Sequence, residues 1–117
     1  MTITTLAEQI IAMYERHGWQ FHGAILTDDY RDEFERAFPT ALVESGPIDA
    51  LWFSRASHGH RQAWELRLLA ETPYALFETL ADDVDEGVRD SVRAEMVNRM
   101  SERQGMNKSL DVIPKES

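Results

Sequence analysis

ALWFSRASHGHRQAWELRLL, residues 50–69, is two runs of strand-forming residues around a His58-Gly59 turn, and its reading decides the fold. A two-residue turn there sets Leu51 opposite Leu66 and Phe53 opposite Trp64. Side chains alternate along a strand, so both pairs fall on one face. Trp52 opposite Glu65, Ala50 opposite Arg67 and Ser54 opposite Ala63 then share the other. One apolar and one mixed face predict an antiparallel sheet with one side on a core. In this register Trp52 points away from Phe53 and Trp64, towards solvent or a covering element.

Outward from the hairpin, helical spacing governs both ends of the chain. Leu6, Ile10, Met13, Tyr14 and His17 form one stripe, with Thr5 and Glu8 as a capping box and Gly18 as a stop. A strand over Trp19 to Leu26 is expected next, with Trp19, Phe21 and Ile25 on one side. Thr27 or Asp28 can cap a second helix with the stripe Tyr30, Phe34, Ala37 and Phe38, ended by Pro39. Ala41 to Glu44 reads as a strand and Gly46-Pro47 as a turn. Residues 73–80 fit either a helix or a third antiparallel strand. The acids that follow (Asp82, Asp83, Asp85, Glu86) look like a fresh helix start and favour the strand. A last helix is expected from about Val84 to Arg103, with Val88, Val92, Met96 and Met100 inward. The expected fold is α+β: an antiparallel β-meander sheet with helices packed on one face, in the order α-β-α-β-β-β-β-α. Residues 1–105 form the single domain and 106–117 a flexible C-terminal tail.

Composition narrows the functions. The 117 residues suffice for one domain with its own core, and they include no cysteine, which excludes disulfides and thiolate chemistry. The N-terminus lacks the basic start of a signal peptide, and no apolar run approaches the roughly 20 residues of a membrane span. A cytoplasmic protein is expected. The net charge of −9 is unevenly placed: residues 71–90 hold seven acids against Arg89 alone, while residues 55–70 carry three arginines against Glu65. Such a field repels nucleic-acid backbones and anionic lipid, so neither nucleic acid nor membrane is an expected partner.

Candidate sites follow from residue type. His58 and His60 flank the hairpin turn, but two histidines beside Arg55 and Arg61 are poorly suited to a dication, and no metal or other cofactor is expected. With Arg61 they form instead a candidate anion or ligand patch, since arginine forks match carboxylates and phosphates. The acids at 82–86 lack calcium-loop spacing, and neither a G-x-S-x-G elbow nor a glycine-rich phosphate loop is present. A tryptophan on the second sheet face is a binding hot-spot candidate. Trp52, Arg55 and Arg67 are therefore the expected contact surface of a small acidic noncatalytic interaction module, whose partner is another protein or a second copy in a homodimer. The alternative is a small-molecule-binding domain or small enzyme, with a pocket between sheet and helices and His22, Arg55 or His60 as polar contacts. A second alternative is an acidic nucleic-acid mimic built on Asp82, Asp83, Asp85, Glu86 and Asp90.

Overall fold

The structure, a computed structural model, describes residues 2–70 and 74–112, with side chains as far as Arg103. Three helices and five strands follow the expected order: α1 (Ile3–Arg16), β1 (Gln20–Leu26), α2 (Asp28–Ala37), β2 (Leu42–Ser45), β3 (Ala50–Ala56), β4 (Arg61–Leu68), β5 (Ala75–Ala81) and α3 (Glu86–Val112). The fold is α+β. The sheet runs β2-β1-β3-β4-β5 and is antiparallel except where β1 meets β2. That parallel pair is joined through α2, as parallel neighbours require a crossover. Residues 75–81 form the third strand of the meander.

The hairpin register differs by one residue from the expected one. Ser57 N–H donates to the Arg61 carbonyl at 2.9 Å, leaving a three-residue loop from His58 to His60. Gly59 at φ 64° and His60 at φ 57° turn the chain in the left-handed region. A two-residue primed turn needs φ above zero at its first central residue and favours Asn, Asp or Gly there, so His58 is a poor first residue for one. Trp52 now pairs with Leu66, Phe53 with Glu65 and Ser54 with Trp64. A one-residue slip moves a whole strand's side chains to the other face. Phe53 and Trp64 therefore lie on opposite faces of the sheet, not side by side.

Both faces carry helices, where one was expected. Leu51 and Phe53 pack with Ala24, Leu26, Ala7, Ile10, Tyr14 and Phe34, so α1 and α2 cover this side. Ile25, Ala50, Trp52, Trp64 and Leu66 pack with Met96 and Met100 beneath α3. Tyr14 stacks on Phe53 at 4.1 Å between ring centroids. The Val88 end of the expected α3 stripe stays exposed, while Val92, Met96 and Met100 face inward. Backbone helix continues past Arg103 to Val112, through the first seven residues of the expected tail; the last five lie outside the described residues. At the other end, α1 begins earlier than the Thr5 capping box, with Thr2 as N-cap accepting from Thr5 N–H at 3.1 Å.

β1 is interrupted by a bulge. Phe21 pairs with Phe53 and Gly23 with Trp52, so His22 is an extra residue. The bulge switches the alternation: Phe21 packs with α1, whereas Ile25 belongs to the α3 side rather than with Trp19 and Phe21 as expected. Glycine is required at position 23 because a Cβ there would stand 2.6 Å from the Leu42 carbonyl oxygen of β2. Gly23→Ala is expected to cost about 1–3 kcal/mol, as overpacking does, and to lower the urea midpoint. An unchanged midpoint would show that β1 and β2 separate freely.

Candidate functional site

The bulge and the register together build a cleft on the α3 side of the sheet. It measures about 190 Å³ and is lined by His22 and Gly23 of β1, Leu42 and Glu44 of β2, the two indoles of β3 and β4, and Arg89, Asp90 and Arg93 of α3. Trp52 and Trp64 stack at 5.4 Å between centroids and 22° between planes. They sit diagonally across β3 and β4 because Trp52 pairs with Leu66 and Ser54 with Trp64. Arg93 lies over Trp52 at 5.7 Å and Arg89 over Trp64 at 6.0 Å. One turn of helix separates the two arginines, which puts them on one face of α3.

A buried polar chain holds His22. Gln62 Nε2 donates to Ser54 Oγ at 3.2 Å, and Ser54 Oγ lies 2.5 Å from His22 Nε2. Ser54 is fully buried, and its Oγ has no other partner among the described residues. Its one proton is satisfied by donation to His22, which makes Nε2 an acceptor and leaves the proton on Nδ1. The His22 ring rests 5.0 Å from Trp64. Burial lowers its pKa below the ordinary 6.5, and the positive charge of Arg89 lowers it further. His22 is thus held neutral.

Arg93 spans the cleft mouth to pair with Glu44 of the outer strand β2. Its Nε is buried without a hydrogen-bond partner. Arg89 makes neither a side-chain hydrogen bond nor an ion pair among the described residues, and Asp90 stands beside it on the rim.

Of the residues singled out from sequence, His22, Trp52 and Asp90 line this cleft, while Arg55 and His58 line a separate one with His17 and Phe77. Trp52 is 6% exposed beneath α3, which corrects the expectation of a tryptophan on an outer hairpin face. Arg55 and Arg67 lie on the α1 side, where Arg55 stacks on Trp19 and donates to the His17 carbonyl at the end of α1. Arg67 is 7% exposed and donates to the Leu68 carbonyl. Trp52, Arg55 and Arg67 therefore share no surface. His58 and His60 are exposed in the loop, and the Arg61 guanidinium is engaged by the Thr79 carbonyl and hydroxyl. Of the pocket contacts expected, only His22 lines the cleft. Arg89, Arg93, Glu44 and Ser54 were missed. The available signal was arginine at positions 89 and 93, one helical turn apart and bordering the inward Val92 and Met96.

Another polar group lies on the α1 side, where Tyr14 donates its hydroxyl to Glu65. Burial, and then the bond and negative charge of Glu65, push the Tyr14 pKa above its ordinary value. Among the described residues no cluster of three metal-ligating side chains forms, and no helix is long and apolar enough to cross a membrane. Comparison with protein-family models, curated proteins and solved structures finds no match for this chain.

The neutral state of His22 makes stability depend on pH. The unfolded chain takes up this proton near pH 6.5, whereas the folded chain takes it up only at lower pH. The contribution is complete above that value and is lost as the pH falls through it towards the folded pKa. Arg89 from α3 opposes protonation, and Arg93, Glu44 and Asp90 are the other charged groups that line the cleft with His22. Urea midpoints measured between about pH 8 and about pH 5 should fall less steeply for His22→Asn than for the unaltered chain. Equal slopes would place His22 in water.

Proposed function

We propose that this chain is a noncatalytic module that binds a small ligand in the cleft under α3. One observation carries the reading: the cleft brings together a neutral histidine, a stacked indole pair and the guanidinium of Arg89, which has neither a hydrogen-bond nor an ion-pair partner among the described residues. A cleft lined mainly by apolar side chains with a few convergent polar groups is where a small ligand binds, and a guanidinium without a partner there suits a ligand's polar atoms. Binding is favoured over catalysis because the hydroxyl beside His22 is that of Ser54, which solvent does not reach. A cytoplasmic location suits a chain without cysteine and forms part of the proposal.

A second reading, a protein-interaction module contacting another protein or a second copy, has one observation in its favour. Phe77 is 54% exposed on the outer strand β5 and meets Trp19 edge-on at 6.4 Å. Exposed aromatics on an outer strand suit a partner surface. This patch lies on the α1 side, across the sheet from the cleft, so one experiment separates the two readings.

Amide and indole NMR shifts of the full chain, followed during titration with a set of single-ring compounds, should move at His22, Gly23, Leu42, Trp52, Trp64 and Arg93. Shifts gathered at Trp19 and Phe77 would overturn the cleft reading in favour of the second.

A further inference from the structure

The chemistry of the cleft walls narrows the ligand class, an inference that rests on the cleft being the binding site. We propose that the cleft takes a small aromatic carboxylate, its ring against Gly23, Leu42 and the indole edges and its carboxylate on the guanidiniums of Arg89 and Arg93.

Size sets the first limit. The cleft measures about 190 Å³, and an apolar cavity of about 150 Å³ is enough for benzene. One ring with one small substituent fills it. The walls are mainly apolar, and Leu42, at 75% exposed, offers uncovered hydrocarbon at the rim.

Charge sets the second limit. A cation has no place, because guanidiniums already lie over both indoles. The Arg89 side chain makes no hydrogen bond or ion pair among the described residues, and the partner of the Arg93 guanidinium is the half-exposed carboxylate of Glu44. Two guanidinium forks one turn apart on α3 match the two oxygens of a carboxylate. A multiply charged anion such as a phosphate monoester is disfavoured, since Glu44 and Asp90 share the rim and the whole chain carries −9.

The third observation is an anion already in place. Glu44 reaches across from β2 and gives its carboxylate to the far end of Arg93. Its side chain is 55% exposed, so it can swing away. Glu44 is then an internal competitor that an incoming carboxylate displaces from Arg93, and removing its charge tightens binding rather than weakening it.

The test titrates the full chain carrying Trp19→Phe, so that emission comes from Trp52 and Trp64, with benzoate and with benzyl alcohol as its uncharged counterpart. Benzoate should change the emission at millimolar concentration, and benzyl alcohol should bind at least about tenfold more weakly. Glu44→Gln should tighten benzoate by about threefold or more, and Arg89→Gln should weaken it by about tenfold. A gain in affinity cannot come from misfolding, so Glu44→Gln keeps the test decisive even if an arginine variant unfolds. Equal binding of the two probes, or weaker benzoate binding by Glu44→Gln, would overturn the carboxylate assignment while leaving the cleft as a ligand site. Failure of both probes to bind would overturn the cleft reading with it.

Discussion

The three-residue loop at His58–His60 is the constraint on which the rest of the structure depends. It sets the pairing of β3 with β4, and the pairing decides which side chains each face of the sheet presents. With Trp52 opposite Leu66, the two hairpin tryptophans fall on the α3 side and stack. With Phe53 opposite Glu65, the phenylalanine joins α1 and stacks on Tyr14. A loop shorter by one residue would send Phe53 and Trp64 to the same face and leave Trp52 on the other. Each helix would then meet a different surface. Apolar burial on both sides of the sheet is what stabilises the observed register.

A second irregularity turns that layered core into a site. The bulge at His22 reverses the alternation of β1, so Phe21 and Ala24 both face α1 while Ile25 faces α3. The extra residue aims His22 towards Trp64 and into reach of Ser54, which Gln62 holds from β4. Bulges commonly re-aim a side chain in this way beside functional sites. Gly23 then lets β1 approach β2 closely enough to close one wall of the cleft. The arginines of α3 supply its charge, and Glu44 of β2 partly neutralises it.

Much of the fold was legible because its signals are local. Helical stripes at Ile10 and Tyr14, at Phe34, and at Met96 and Met100 each mark a buried face. The acids ahead of Glu86 correctly pushed residues 75–81 towards strand. What the pattern did not disclose depends on single residues and on tertiary pairing. Nothing in HGH distinguishes a two-residue turn from a three-residue one by hydrophobicity alone, because residues 50–69 carry apolar side chains on both faces in either register. The bulge at His22 leaves no hydrophobic trace either, since both flanking registers bury apolar residues. The cleft depends on the register: Trp52 was expected beside Arg67 and Arg55, whereas its partners are Trp64 and Arg93. Arg55 illustrates the same limit. Its charge suggested a partner surface, and its work in the fold is to hold the end of α1.

The pairing of the tryptophans across the hairpin can be measured directly by two double-mutant cycles on folding stability. One combines Trp52→Leu with Trp64→Leu, and the other combines Phe53→Leu with Trp64→Leu. The structure predicts a coupling of about 0.5–1.5 kcal/mol for the two tryptophans, as stacked aromatic pairs show, and within about 0.5 kcal/mol of zero for Phe53 with Trp64, which the sheet separates. The opposite result, Phe53 coupled to Trp64 and Trp52 independent of it, would contradict the register and every feature of the cleft built on it.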